Sequence, residues 1–274
     1  MPELPEAETI ARDLHTRAAG AIVRATRVHR PDILAPGTTA SRLSAGLRGR
    51  RLVRVSRRGK NVVLEFDGDW RLVVNLGMTG RIVTSDSPRA RELHHIAARI
   101  LLEDGRALLY DDARRFGRLD LRDPGGWQTR SAQLGIEPLS TDFTADWLFN
   151  ATRRSRVPLR NWLLDQARIA GVGNIYANEA LFRAGVRPTR RTHLLRRREA
   201  GPLRDAIHEV LSEAIHSRGT TLNDYRDGTG ERGGFQFQLR VYDREGEPCF
   251  RCGTAIKRIV LSNRSAFYCP NCQR

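Results

Sequence analysis

Cys249-Phe250-Arg251-Cys252 and Cys269-Pro270-Asn271-Cys272 contain all four cysteines of this 274-residue chain, with 16 residues between the two pairs. Each Cys-x2-Cys pair suits a tight knuckle that aims two sulfurs at one tetrahedral centre, and the residues between the pairs then fold as a hairpin. Two disulfides are the alternative, which an intracellular chain with no other cysteine does not favour. A closed set of four thiolates leaves no open coordination position, so the expectation is one structural Zn2+ that takes no part in the chemistry. The hairpin carries Lys257, Arg258 and Arg264. Basic residues on a metal-held hairpin suit a polyanion, and Arg264 in Ser262-Asn263-Arg264-Ser265 is the candidate for a bidentate phosphate contact.

Upstream of Phe235 the composition changes. Helical spacing covers Ala145–Ala151, Leu159–Ala167, Asn174–Ala184 and Glu199–Ser217. Before Pro124-Gly125-Gly126 the chain is β-rich, with segments at Val53–Val55, Val62–Phe66, Leu72–Leu76, Ala98–Leu102 and Leu108–Tyr110 separated by turns such as Asp67-Gly68-Asp69. A β-sandwich or barrel fits these segments best. The sequence therefore predicts an α+β multidomain chain divided at 1–125, 126–234 and 235–274. The basic run 190–198 reads as a solvated helix face.

A formal charge of +16 implies a polyanionic partner, held through counterion release and largely without regard to sequence. Nucleic acid is the first expectation. A membrane is the competitor, but the sequence has no run of about 18 apolar residues and no apolar leader at its N-terminus, and it reads as soluble and intracellular. Lysine occurs only at Lys60 and Lys257. A lysine at Lys60, within Arg57-Arg58-Gly59-Lys60-Asn61, can give up a proton near neutral pH where arginine cannot.

Met1-Pro2-Glu3-Leu4-Pro5-Glu6 admits two readings. One is a helix start, with Pro5 at the first helical position, Glu6 and Glu8 in the first turn, Ile10 and Leu14 buried, and Gly20 at the end. In the other, removal of Met1 leaves Pro2 as a secondary amine with an ordinary pKa of about 7.7–8.0, a nucleophile that gives an iminium directly, with Glu3 beside it as acid or base. Three further segments bear on the choice. Gly171-Val172-Gly173-Asn174 places a tight turn before a helix, where Asn174 is positioned for a phosphate and Arg156 and Arg160 flank it. Asn75-Leu76-Gly77-Met78 and Arg114-Arg115-Phe116-Gly117 lie in loops between strands. Met78 and Phe116 fit either core packing or a wedge that fills a duplex when a nucleotide is flipped.

Together these segments resemble the bacterial formamidopyrimidine-DNA glycosylases, a family that includes endonuclease VIII. The resemblance runs from Pro2 to Cys272 through Pro-Glu-Leu-Pro-Glu, Arg-Arg-Gly-Lys, Leu-Gly-Met-Thr-Gly, Asp-x-Arg-Arg-Phe-Gly, Gly-Val-Gly-Asn-Ile-Tyr-Ala, Gly-Thr-Thr-Leu, Tyr-x-Arg-Glu-Gly-Glu-Pro-Cys and the cysteine knuckles. It implies an N-terminal helix with a two-layered β-sandwich, a helix-two-turn-helix domain and a zinc finger. It also implies a DNA glycosylase and AP lyase for oxidised purines such as 8-oxoguanine and formamidopyrimidines. Pro2 is then the nucleophile at C1′, Glu3 the proton donor in ring opening, Glu6 a supporting acid, Lys60 the group for β-elimination and Arg264 the group for δ-elimination. Met78, Arg114 and Phe116 match the void-filling set. Asn75, His95, Arg156 and Asn174 match DNA-contacting positions, and the loop 227–234 matches one near the damaged base. The implied partner is double-stranded DNA carrying oxidised bases or abasic sites, met by a cytoplasmic, nucleoid-associated monomer with no membrane attachment.

Two alternatives follow from other features. An endonuclease VIII-like enzyme for oxidised pyrimidines typically begins Pro-Glu-Gly-Pro-Glu, and Leu4 and Phe116 speak against it. A non-catalytic zinc-ribbon DNA-binding protein would not need Pro2, Glu3 or Lys60. One departure stands out: family members usually carry His before Leu-Gly-Met, and Asn75 cannot be protonated.

Overall fold

The computed structural model describes residues 2–222 and 225–274. Met1, on whose removal the Pro2 amine depends, lies outside them. The chain forms two compact units, one of Met1–Gln133 with Ile215–Gln236, the other of Leu134–Ala214 with Phe237–Arg274.

In the first unit α1 (Leu4–Ala18) buries Leu4, Ala7, Ile10, Ala11, Leu14 and Ala18, the stripe expected of a helix with one face on a core. It starts one residue earlier than Pro5, with Glu3 as its N-cap. The chain continues through β1 (Val23–Val28), α2 (Ala40–Leu47), β2 (Leu52–Arg58), β3 (Asn61–Phe66), β4 (Arg71–Asn75), β5 (Arg81–Thr84), β6 (Ile96–Leu102), β7 (Ala107–Asp111) and β8 (Arg118–Arg122). Two four-stranded sheets result, ordered β1-β6-β7-β5 and β2-β3-β4-β8, with antiparallel neighbours throughout. Inward residues of both sheets, among them Leu64, Val74, Ile100 and Leu108, share one core with α1 and α2, which makes the unit a β-sandwich. Pro124-Gly125-Gly126 is itself the first turn of α3 (Pro124–Ala132), where Asp123 Oδ1 accepts from Gly126 N at 2.8 Å.

The second unit holds α4 (Ala145–Arg153), α5 (Leu159–Leu163), α6 (Asn174–Arg183) and most of α7 (Arg197–His216), followed by the hairpin β9 (Lys257–Leu261) and β10 (Arg264–Tyr268). The spacing predicts a helix to Ala167, but α5 ends at Leu163. Asp165 Oδ1 takes Ala167 N at 3.0 Å and its Oδ2 takes Arg168 Nε at 2.8 Å, so a local side-chain turn replaces the helical ladder. Every residue from Ile175 to Phe182 on α6 is buried. The Glu179 carboxylate within that stretch accepts from Arg240 N, Val241 N and Tyr242 N at 2.8–2.9 Å and so fastens the chain entering the hairpin to α6. Among the described residues no helix is long and apolar enough to cross a membrane.

Candidate active site and nucleic-acid interface

Residues 2–6 form a helix start. Pro2 is buried, Glu3 and Glu6 are 3% and 2% exposed, and the two glutamates form a reciprocal capping box in which Glu6 Oε2 accepts from Glu3 N at 2.7 Å. Glu6 therefore fixes the backbone directly beside Pro2. Its other oxygen accepts from Thr220 N at 2.7 Å.

Lys60 is the second residue of a two-residue turn between β2 and β3, whose strands pair up to Arg58 and Asn61. Gly59 takes φ 59° there, a left-handed conformation such a turn demands. Arg57 ties this turn to α1: its Nη1 donates to Gly59 O at 3.0 Å and its Nε to Glu8 Oε2 at 3.1 Å. Burial pushes the Glu8 carboxyl up, but Arg12 and Arg57 outweigh it and hold the group below its ordinary pKa.

Met78 and Phe116 are 41% and 53% exposed, so core packing does not account for them. One buried carboxylate organises both loops. Asp112 Oδ1 accepts from Thr79 Oγ1 at 2.6 Å, its Oδ2 accepts from Gly117 N at 2.8 Å, and Thr79 Oγ1 in turn accepts from Arg114 N at 3.2 Å. Burial, with Asp112 alongside, pushes the Tyr110 hydroxyl well above its ordinary pKa, so it stays a donor to Asp112. The Arg114 guanidinium lies 4.7 Å from the Phe116 ring centroid, and Met78, Arg114 and Phe116 are all exposed on these loops. Asn75, at the end of β4, is engaged within the protein: Nδ2 donates to Asn61 Oδ1 at 2.9 Å and Oδ1 accepts from Gly77 N at 3.0 Å. His95 is exposed just before β6, with its backbone N on Asp111 Oδ1 at 2.6 Å.

In the second unit Asn174 is the first residue of α6, after the glycine turn. Its Oδ1 accepts from Arg160 Nη2 at 2.5 Å and its Nδ2 donates to Ser265 O at 3.0 Å. Arg160, 1% exposed, also donates to Ser265 O at 3.0 Å and Leu261 O at 3.2 Å, so one guanidinium joins α5, α6 and both strands of the hairpin. Ser262 and Asn263 form the hairpin tip at φ 46° and 60°, and Arg264 next to them is exposed. Arg264 and Arg160 share with Asn161, Leu164, Asp165 and Ser262 a cleft of about 350 Å³. Arg156 is exposed before α5.

The four cysteine sulfurs lie within 4.8 Å of one another. Three of the pairs are 3.4–3.9 Å apart. Disulfide bonding requires about 2.05 Å, whereas a tetrahedron of Zn–S bonds of about 2.3 Å has edges of about 3.8 Å, so the cluster fits zinc.

Sequence reasoning singled out the loops that carry Met78 and Phe116 but missed Asp112, which joins those loops, and Glu179, which holds residues 240–242 to α6. For Glu179 the available signal was a lone carboxylate in the otherwise uncharged stretch 174–182.

The chain matches family models for the formamidopyrimidine-DNA glycosylase N-terminal domain over residues 1–119, the H2TH domain of the same enzyme over 134–226, and the zinc finger found in FPG and IleRS over 246–274. A formamidopyrimidine-DNA glycosylase of Chloroflexus aggregans is 43% identical over 100% of this chain and 98% of its own. The chain belongs to the formamidopyrimidine-DNA glycosylase family. Another relative of that name, from Thioalkalivibrio sulfidiphilus, is 44% identical over 100% of both chains. Among solved members of the family, the MutM (Fpg) protein of Thermus thermophilus is 41% identical with a TM-score of 0.87, covering 99% of this chain and 98% of its own. A Lactococcus lactis Fpg variant in complex with Fapy-dG-containing DNA is 32% identical with a TM-score of 0.90 over 100% of both chains. The fold expectation of β-sandwich, helical module and cysteine hairpin is met, and the zinc site belongs to the family's finger.

Proposed function

We propose that this chain is a DNA repair glycosylase and AP lyase that removes oxidised purines, such as 8-oxoguanine and formamidopyrimidines, from double-stranded DNA and then nicks the strand by β,δ-elimination. With Met1 removed, the Pro2 amine forms a bond to C1′ while the C1′–base bond breaks and its electron pair leaves with the base. Glu3 protonates O4′ as the sugar ring opens to the iminium. Loss of a proton from C2′ breaks the C3′–O bond with Lys60 as proton donor. Loss of a proton from C4′ then breaks the C5′–O bond, whose electron pair leaves with the phosphate that Arg264 holds. Glu6 supports Glu3. Met78, Arg114 and Phe116 fill the space left by the flipped nucleotide, Arg114 facing the opposite base. Asn75 and His95 in the first unit, and Arg156 and Asn174 in the second, are each assigned to contacts with the DNA backbone. The bound metal serves only to hold the hairpin on which Arg264 sits.

The observation that carries this reading is the exposed Met78, Arg114 and Phe116, organised by the single buried Asp112, in a chain whose Pro2 and Glu3 stand at the capped start of α1. The sequence division 1–125, 126–234 and 235–274 is our proposal for chemistry, backbone grip and finger. The enzyme works as a monomer in the cytoplasm, at the nucleoid, without a membrane partner.

Borohydride reduction tests it. Met1-processed protein should become covalently trapped on DNA containing 8-oxoguanine, and Pro2→Gly or a retained Met1 should suppress trapping. Absence of any adduct on oxidised or abasic DNA would overturn the enzymatic reading.

A further inference from the structure

Among the described residues, the segment 217–236 meets α1 at Glu6 and at Asp13, which lie about two helical turns apart on the same face, and Tyr225 meets Thr9 between them. At the first, Glu6 links Thr220 N to Glu3 N. At the second, Asp13 Oδ2 accepts from Arg218 Nη2 at 2.6 Å and from Gly228 N at 3.0 Å. Residue 228 has to be small here, because a Cβ would lie 2.5 Å from the Asp13 Cβ. Arg218 also grips a second carboxylate: its Nε donates to Asp227 Oδ2 at 2.7 Å, and the Asp227 side chain is fully buried. The other Asp227 oxygen accepts from Thr229 N, Thr229 Oγ1 and Glu231 N at 2.9, 2.7 and 2.9 Å. One guanidinium thus bridges a helix carboxylate and a turn carboxylate. Arg218 itself sits at φ 59°, a conformation that a non-glycine residue keeps only when its surroundings impose it.

We infer that Asp13, Arg218 and Asp227 form a positioning latch for the reacting end of α1. Arg218, clamped between the two carboxylates, fixes the Arg218-Gly219-Thr220 backbone that presents Thr220 N to Glu6, and Glu6 fixes the backbone of Glu3 beside Pro2. Tyr225 OH closes the same turn by donating to Arg218 O at 3.1 Å. None of the three latch residues touches a reacting atom; they act through Glu6. The inference rests on Pro2 and Glu3 being the reacting groups.

The test uses the full-length, Met1-processed protein on duplex DNA with one abasic site, so that base excision plays no part. Single-turnover rates of borohydride-trapped adduct formation are measured beside the DNA Kd and the thermal midpoint. Asp13→Asn and Arg218→Gly are each expected to slow adduct formation about tenfold with Kd held, at a temperature where each variant's thermal midpoint shows it folded, since small misplacements of reacting groups cost rate; the midpoint itself falls where Asp227 loses its partner. Arg218→Gly keeps a left-handed backbone without the guanidinium, so slowing there reports the lost ion pairs. Arg218→Lys should restore most of the rate, and the double variant should be no slower than the slower single one. Unchanged rates overturn the latch, as does a loss seen only in Kd or midpoint. If the unaltered chain itself forms no adduct, it is the reading of Pro2 that fails, and the latch with it.

Discussion

Asn75 stands where the family resemblance leads one to expect His, and its surroundings define what it does. Its amide bridges β3 to β4 through Asn61 and caps the turn that leads to Met78. It therefore stiffens the wedge loop while adding no charge. Asn75→His introduces a group that is cationic below about pH 6.5. DNA affinity of the variant should tighten as pH falls through that value, by about tenfold or more, the worth of one charge-assisted hydrogen bond, beyond any step that the unaltered chain shows through His95. Titrating binding against pH by fluorescence anisotropy checks this, and identical pH profiles would remove Asn75 from the interface. The motif around position 75 was legible in the sequence because glycines and a lone methionine mark a loop. The role of Asp112 was not, since its partner Thr79 is 33 residues away and only the sheet brings them together.

The cysteine hairpin is the element most dependent on its ligand. Two of the six buried residues in its core, Cys249 and Cys269, are themselves metal ligands, leaving Phe182, Val241, Ile256 and Phe267 as the apolar remainder. So small a core does not hold alone, and the zinc supplies about 10–16 kcal/mol of binding free energy to structures of this kind. Stripping the metal with a chelator should abolish amide-exchange protection across β9 and β10, leave that of β3 and β4 intact, and weaken DNA binding through loss of the placed Arg264. Protection of β9 and β10 that survives metal removal would show the hairpin to be self-supporting. Cysteine spacing made this element readable outright, because thiolate geometry dictates the knuckles. The end of α5 was not readable, since helical periodicity continued past Leu163 while the Asp165 side chain took the Ala167 backbone donor.

At the scale of the whole molecule, chain order misleads: Ile215–Gln236 belongs to the first unit, and the Glu6–Thr220 bond spans 214 residues of sequence. No periodicity encodes such a return, whereas net charge needs no fold to be read. The +16 charge nevertheless overstates the cation available to DNA, because arginines such as Arg57, Arg160 and Arg218 are engaged internally. Salt dependence separates the two quantities. If Lys60, Arg156 and Arg264 each neutralise one phosphate, a plot of log affinity against log salt should be linear with a slope of about −3, and steeper only to the extent that further arginines reach the backbone. Arg264→Ala should make the slope shallower by about 1, on lesion-free and lesion-bearing duplexes alike, because a phosphate contact carries no base information. An unchanged slope in that variant would place Arg264 off the backbone path and leave the finger without its assigned phosphate.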